Sequence, residues 1–174
     1  MGENMVVGYH NASKMPATVI RFPNTVGAGE FLKFAGFYMS SYKTRPEITP
    51  LWDGKEKLVL ITDENGRPWK KHMGDVRDVV HGLVCALGKE PAFGQIIQLG
   101  GPKAFTWDEV VPHLSKRTGI PYVTVAFKGT PSCYEFDLTK ARTLIGFKLQ
   151  YDGVRMIDDA LAFSKGQDIG VVPT

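Results

Sequence analysis

Two runs of consecutive apolar and β-branched residues are the clearest strand signals in the chain. Residues 17–22 (ATVIRF) and 95–101 (QIIQLGG) show little alternation between apolar and polar positions. Such runs are typical of strands that are buried on both faces, as in a parallel sheet. Pro23 ends the first run and a glycine pair ends the second. We therefore predict two central parallel strands here.

Helical periodicity and further strand patterns occupy most of the remaining chain. A third strand pattern, residues 57–62 (KLVLIT), precedes Asn65-Gly66, a pair that supplies the backbone freedom of a hairpin turn. This predicts a hairpin with residues 69–73. Strands that alternate with helices indicate the α/β class. We predict helices over residues 3–13, 31–42, 75–87, 106–118, 139–145 and 152–165, and a further strand over residues 121–127.

Several polar residues and glycines mark the ends of the predicted helices. Asp75 and Asp137 occupy N-cap positions, and Thr106 with Glu109 three residues later has the spacing of a capping box. Glycines at 88, 119 and 146 end three helices. In the first helix, the apolar face is predicted to contain Met5, Val6, Tyr9 and Ala12. Residues 171–174 predict a loose tail.

The composition excludes several classes of protein. The 174 residues suffice for one domain of ordinary size, and 43% hydrophobic with 22% charged residues is normal for a globular protein. No apolar run is long enough for a membrane span, and no secretory signal is visible. A net charge of +3 is too small to favour nucleic acid as a partner. Cys85 and Cys133, in unrelated contexts, indicate a reduced cytoplasmic protein.

Four segments in a fixed order resemble the extended short-chain dehydrogenases/reductases, the NAD-dependent epimerase/dehydratase family. The first, RFPNTVGAGE, is similar to the family's R-x-x-N-x-x-G-x-G segment, and the last is similar to its C-terminal D-x-x-K-A signature. The likeness covers nearly the whole chain. The four segments are residues 21–30, 72–87, 93–111 and 136–161.

The resemblance implies an α/β fold made of the last strands of a Rossmann-type parallel sheet and a small substrate-binding domain. Residues 1–174 would form a single C-terminal region. Its remnants of the Rossmann sheet would be residues 1–30 and 93–105, and its substrate-binding subdomain residues 31–92 and 106–170. Met1-Gly2-Glu3 resembles the G-E that follows the family's catalytic Y-x-x-x-K. The N-terminal dinucleotide-binding half, with that motif and the glycine-rich loop, is therefore expected upstream and missing here.

No catalytic residue is predicted in this chain. Tyr9 and Lys14 are separated by one residue too many to be neighbours on one helical face. The glycines at 27, 29, 100 and 101 are turn residues outside the context of a dinucleotide fingerprint. The four histidines have no metal-ligand spacing, and no metal is expected. NAD or NADP is implied for the intact enzyme, but we do not expect this chain to bind it or catalyse redox chemistry alone.

The resemblance implies that this chain contributes half of a substrate pocket. Phe22, Pro23 and Asn24 would line the cofactor side, and Asn24 would also contact the substrate, unless it only supports a turn. The family's diphosphate-binding arginine is replaced by Pro68, beside Arg67. The candidate substrate-binding cations are Arg67, Lys71 and Lys128; the alternative is that these charges are simply solvated. Trp69 and Trp107 either stack on a ligand ring or pack in the core.

Two functions remain open. The first is the substrate-binding portion of an NAD(P)-dependent epimerase/dehydratase acting on a nucleotide sugar or a related small molecule. The alternative is a non-catalytic module that binds a ligand or nucleic acid through residues 67–72, or a subunit that complements a separate N-terminal half. In either case residues 17–22 should pair with 95–101 and leave a bare apolar edge. We expect a homo-oligomer or a missing-half partner, with the first helix contributing, and neither a membrane nor nucleic acid as the main partner.

Overall fold

A computed structural model describes residues 2–129 and 132–170. These residues form α-helices and short strands in an α/β arrangement. The helices are α1 (Gly2–Ser13), α2 (Phe31–Phe34), α3 (Val76–Ala86), α4 (Trp107–Thr118), α5 (Thr139–Ile145) and α6 (Gly153–Ser164). The strands are β1 (Val19–Arg21), β2 (Asn24–Val26), β3 (Leu58–Thr62), β4 (Lys70–Lys71), β5 (Met73–Asp75), β6 (Ile96–Gln98), β7 (Phe105–Thr106) and β8 (Tyr122–Ala126). The predicted tail at 171–174 lies outside the described residues.

The pairing of the two apolar runs is confirmed, although β1 contains no buried residue and β6 only one. β1 and β6 are parallel, with Val19 opposite Ile96 and Arg21 opposite Gln98. Within the described ranges, β1 pairs with β6 alone, so its other edge has no strand. Because parallel strands end at the same side of a sheet, the residues after Arg21 and after Gln98 meet at one edge.

The hairpin prediction is only partly correct. Its turn forms, with Gly66 at a φ of 78° and the Asp63 N–H donating to the Arg67 carbonyl over 2.8 Å. However, β3 makes its ladder with β8, in parallel and over five residues. All five residues of β3 are buried, which suits a strand covered on both faces. The segment after the turn instead forms β4, which pairs antiparallel with β7.

The predicted helix over residues 31–42 is wrong beyond its first turn. α2 ends at Phe34, and Gly36 takes a φ of 78°, which ends the helical path. Tyr38 is extended, and Met39–Tyr42 form a single 3-10 turn. A continuous helix would place Gly36 in the right-handed region; its left-handed conformation instead turns Phe37 into the core.

The predicted apolar face of α1 is not buried. No residue of α1 is buried, and Met5 and Tyr9 are both more than half exposed. The helix is held to the sheet by an ion pair of 2.6 Å between Glu3 and Arg21. The apolar side of α1 is therefore a surface of the described chain.

The helix caps follow the sequence at some positions and not at others. Asp75 accepts a hydrogen bond from the Arg77 N–H, as predicted for an N-cap. Thr106 occupies the N-cap position of α4, but its side chain makes no capping hydrogen bond. The capping-box prediction is therefore wrong, because the Glu109 carboxylate bonds the Lys103 ammonium instead.

Two hydrophobic clusters hold the chain together. The larger one contains Trp107, Phe31, Phe37 and Phe105, all fully or almost fully buried, and joins α2, α4 and α6 to β3 and β8. The smaller cluster lies between α3, α5 and β6, and includes Ile97. The β1/β6 pair is thus supported by its own small core, beside the larger one.

Candidate functional site

The carboxyl ends of β1 and β6 form the edge at which the first candidate residues lie. Pro23 is buried, whereas the Phe22 side chain is largely exposed. Pro23 packs so closely on Gly74 that a Cβ at residue 74 would lie 2.7 Å from the proline ring. This contact fixes the chain where it leaves β1, and it aligns Asn24 opposite Met73 at the start of β2.

Asn24 is joined to a residue far away in sequence. Its side-chain amide donates to the Tyr134 hydroxyl over 3.2 Å. Burial raises the pKa of Tyr134, and the hydrogen bond from Asn24 partly opposes this rise. Tyr134 is therefore a neutral hydroxyl at physiological pH, with a proton that it can donate to a ligand oxygen. No sequence pattern indicated this pairing, although Tyr134 lies only three residues before Asp137, which the family resemblance includes.

His72 holds the segment that carries Tyr134. This histidine is buried; its Nε2 lies 2.9 Å from the Gly101 carbonyl, and its Nδ1 accepts the Phe136 N–H over 2.9 Å. The two partners define the tautomer, because Nδ1 must accept and Nε2 must donate. The ring also stacks on Phe136 with centroids 5.3 Å apart. His72 thereby fixes residues 134–136 above the carboxyl edge of β6.

Arg67 lies in the hairpin turn. Its guanidinium bonds the Asp63 carboxylate over 2.6 Å, and its side chain is 72% exposed. The Arg67 N–H and the Asn65 N–H also donate to the same carboxylate. Arg67 therefore stabilises the turn, and its proposed contact with substrate stays a prediction.

Lys128 follows β8 and contributes to a pocket of about 580 Å³ with Arg45, Pro46 and Glu47. Its N–H donates to Glu47 over 3.1 Å, and Arg45 bonds the same carboxylate through two nitrogens. The Arg45 guanidinium also lies 4.1 Å from the centroid of the Phe127 ring. The hydrogen bond from Arg45, and then that from Lys128, lower the pKa of Glu47 to about 2. Arg45 thus places a guanidinium in this pocket, in a segment where the sequence analysis predicted no site residue.

Lys71 and Lys70 are neighbours in β4 with opposite surroundings. Lys70 forms an ion pair with Glu135, and this raises the pKa of the lysine. Lys71 lies over the rings of Trp69 and Trp107, and burial lowers its pKa. The core reading of Trp107 is confirmed, since this side chain is fully buried. Lys71 is a partly buried cation against aromatic rings.

The described residues contain neither a metal-binding cluster nor a helix that could span a membrane. Within 2–129 and 132–170, no three His, Cys, Asp or Glu side chains come together as a metal site would require. In those ranges no helix has both the length and the apolar character needed to cross a bilayer.

Solved structures share this fold over almost the entire chain. A short-chain dehydrogenase/reductase superfamily protein from Agrobacterium tumefaciens, with bound NAD, has a TM-score of 0.82 and 26% identity over 95% of this chain and 58% of its own. UDP-glucuronic acid 4-epimerase from Bacillus cereus, in complex with UDP-glucuronic acid and NAD, has a TM-score of 0.64 and 18% identity, covering 95% of this chain and 50% of its own. dTDP-glucose 4,6-dehydratase from Bacillus anthracis, in complex with NAD, has a TM-score of 0.63 and 18% identity, with coverages of 94% and 49%.

The extent of these matches is itself informative. The chain spans about half to three fifths of the length of these solved structures. No protein-family model and no curated protein sequence matches it. The similarity found in these comparisons is therefore carried by the fold.

Proposed function

We propose that this chain, which has the α/β structure of the C-terminal part of an extended short-chain dehydrogenase/reductase, forms the substrate-binding wall of an NAD(P)-dependent epimerase or dehydratase. The observation that carries the proposal is the contact between Asn24 and Tyr134 at the carboxyl end of β1. In open α/β sheets, ligands bind outside the carboxyl ends of the strands. The two side chains present one amide and one hydroxyl at that position.

Each residue at this edge has a definite task in the proposal. Asn24 and Tyr134 bind a hydroxyl or phosphate oxygen of the substrate, and His72 positions Tyr134. The exposed Phe22 ring, with Pro23 behind it, offers an apolar surface to the nicotinamide side of the site. NAD or NADP would supply hydride chemistry when bound. No proton-transfer residue is assigned to this chain, and we do not expect it to turn over substrate alone.

A nucleotide sugar is the proposed substrate class. The B. cereus epimerase is solved with UDP-glucuronic acid, and its fold matches 95% of this chain. The pocket containing Lys128 adds one cation suited to a phosphate group, beside Arg45, whose guanidinium is already paired with Glu47. The nucleic-acid alternative is disfavoured, because Arg67 and Lys70 each already pair with a carboxylate. A cytoplasmic location is part of the proposal and rests on the unpaired Cys85 and Cys133.

Nucleotide sugars should raise the melting temperature of the chain. We expect UDP-sugars, tested at millimolar concentration with NAD and NADP in parallel, to give a rise of about 2–4 °C, because specific binding stabilises the folded state. Asn24→Ala should weaken this binding about tenfold through the lost hydrogen bond. Asn11→Ala, on the exposed side of α1, is the matched control and should bind normally. Equal shifts in both variants, or no shift with any ligand, would contradict the proposal.

The outer face of α3 supports a further proposal, that polypeptide covers it in solution. Val80, Val84 and Leu87 are more than half exposed, and β1 has no second strand partner among the described residues. Surfaces and edges of this kind are typical of interfaces. We propose that a second copy of this chain covers them.

Light scattering should therefore detect dimers or larger species of the purified chain. Val84→Lys and Leu87→Lys place charge in the proposed interface and should shift the population toward monomer without unfolding, because both positions are exposed. Leu51→Lys, exposed elsewhere on the chain, is the control and should leave the association unchanged. A monomer at high concentration that melts cooperatively would argue strongly against the proposal.

A further inference from the structure

A pocket of about 720 Å³ opens between α2, α6 and the 3-10 turn of Met39–Tyr42. Its volume lies within the range of about 300–1,000 Å³ that is usual for sites of small molecules. None of the residues that line it is among those assigned to the substrate edge. The pocket is therefore a second place in the described chain where a small molecule can be accommodated.

The α2 and α6 side of the pocket is apolar. The two helices pack together, and Leu32, Ala160 and Phe163 contribute their side chains to the lining. Gly29 permits this close approach, since a Cβ at residue 29 would lie 3.2 Å from Cε1 of Phe163. The side chain of Phe163 nevertheless remains 38% exposed. This side of the pocket thus offers an aromatic and an aliphatic surface to an apolar group of a ligand.

The side formed by the 3-10 turn and Glu56 is polar. The Ser40 N–H donates to Oε1 of Glu56 over 3.1 Å, which anchors the carboxylate at the turn. Burial, and then the charge of Glu56, raise the pKa of Tyr38, so its hydroxyl is neutral and lies within the influence of that carboxylate. Ser40 and Ser41 add two further hydroxyls to the lining. Hydrogen-bond acceptors and hydroxyl donors are therefore grouped on this side.

Two charges of opposite sign line the pocket. Lys33 contributes an ammonium group from α2, and Glu56 contributes a carboxylate from the segment before β3. Within residues 2–129 and 132–170, neither side chain forms an ion pair. Glu30, which is close to Lys33 in sequence, lines an adjacent pocket instead. The charges of the lining thus complement a ligand that carries both signs.

We infer that this pocket binds a small zwitterion with an apolar side chain, an amino acid or a dipeptide. The carboxylate of the ligand pairs with Lys33 and its ammonium group with Glu56, while its apolar side chain packs on Leu32 and Phe163. Hydrogen bonds between charged groups are stronger than those between neutral ones. A ligand with only one charge would leave one of the two protein charges without a partner. The inference goes beyond the proposed function and does not rest on it.

The test is a titration of the 15N-labelled chain at pH 7, observed through the backbone N–H resonances of Gly29 and Ser41. L-leucine is the first probe, and L-leucyl-L-leucine tests a longer separation between the two charges. Isoamylamine, which lacks the carboxylate, and isocaproate, which lacks the ammonium group, are the matched analogues. Because Lys33 and Glu56 are exposed, each contact is weak, and we expect saturation at millimolar concentration. At least one zwitterion should bind about fivefold more tightly than either analogue.

Two variants show whether the charges of the pocket are responsible. Lys33→Met and Glu56→Gln should each weaken binding of the zwitterion about fivefold. Lys43→Met and Glu64→Gln, at exposed positions outside the pocket, are the controls and should bind within twofold of the original chain. All four residues are exposed, so the variants should fold. No saturation up to 50 mM, equal binding of an analogue, or unchanged binding in Lys33→Met or Glu56→Gln would overturn the inference.

The outcome is independent of the proposed function. The probes contain neither nucleotide, sugar nor cofactor, so their binding does not require the Asn24 edge. Asn24→Ala, which should weaken the binding of nucleotide sugars, should therefore bind the zwitterion like the original chain. Loss of zwitterion binding in Asn24→Ala would contradict the assignment of the ligand to this pocket.

Discussion

Replacing Arg77 with methionine should lower the free energy of unfolding by about 3–5 kcal/mol, the usual cost of leaving a buried charge without its partner. Arg77 bonds Asp75 through two nitrogens, each over 2.8 Å, and Asp159 over 2.6 Å. Its guanidinium also lies 3.7 Å from the centroid of Tyr151. The hydrogen bond with Asp75 is the main reason why the pKa of Arg77 is raised. Methionine would leave Asp75, which is buried, without a counter-charge.

Arg155→Met is the matched control, because Arg155 also contacts Asp159 and Tyr151 but is more exposed. Its guanidinium lies 4.0 Å from Asp159 and 4.3 Å from the centroid of Tyr151. The side chain of Arg155 is 51% exposed, however, against 15% for Arg77. An exposed pair of this kind contributes less than about 1 kcal/mol. Urea unfolding of the two variants measures the difference, and similar losses in both would show that burial of the Arg77 pair is not what stabilises the fold.

The physical role of Arg77 is to connect the two hydrophobic clusters. It belongs to α3, which packs on the smaller cluster beside β6, whereas Asp159 belongs to α6 in the larger one. The same guanidinium also supports Asp75, whose carboxylate caps α3. A loss at Arg77 should therefore reduce the cooperativity between the two clusters as well as the overall stability.

Local sequence patterns correctly predicted the β1/β6 pair and the end of α4. The apolar runs that became β1 and β6 have few polar residues, so their parallel pairing could be anticipated, although of their residues only Ile97 is buried. The glycine at 119 ends α4 at a φ of 74°, as its position after the helical pattern indicated. In these places, backbone preference and tertiary structure agree.

The failures arise where a distant partner decides the structure. Residues 58–62 stand next to a good turn pair, and this favoured a hairpin, yet their ladder is formed with residues 122–126. No local pattern indicates which strand some sixty residues away will pair with this one. Glu109 had the correct spacing for a capping box, but a lysine ammonium is a stronger partner for a carboxylate than a backbone N–H.

The candidate site was predictable in the same limited way. The resemblance pointed to Asn24, since this residue lies within a conspicuous short segment. Tyr134 is 110 positions from Asn24 in the sequence, yet the two side chains are hydrogen-bonded. Glu47, which pairs with Arg45, accepts a hydrogen bond from the Lys128 N–H, 81 positions away. Lys71 was predicted as a cation for the ligand, but the two indoles that surround it become neighbours only in the folded chain.

His72→Ala should lower the free energy of unfolding by about 3 kcal/mol, through two lost hydrogen bonds and a cavity. The Gly101 carbonyl and the Phe136 N–H would both lose their partner. His113→Ala is the control: this histidine bonds Asp158 near the surface, and its loss should cost less than about 1 kcal/mol. Thermal and urea unfolding of both variants give the comparison.

Hydrogen exchange distinguishes a positioning role of His72 from a purely structural one. The Phe136 N–H is bonded to the His72 ring, whereas the Leu99 N–H is bonded to the Arg21 carbonyl beside the β1/β6 pair. In His72→Ala we expect exchange at Phe136 to accelerate at least tenfold more than exchange at Leu99, because the segment with Tyr134 detaches while the sheet persists. Binding of nucleotide sugars should weaken in parallel, since Tyr134 then no longer faces Asn24. If both amides accelerate equally, His72 supports the whole fold and its assigned role in aligning Tyr134 is wrong.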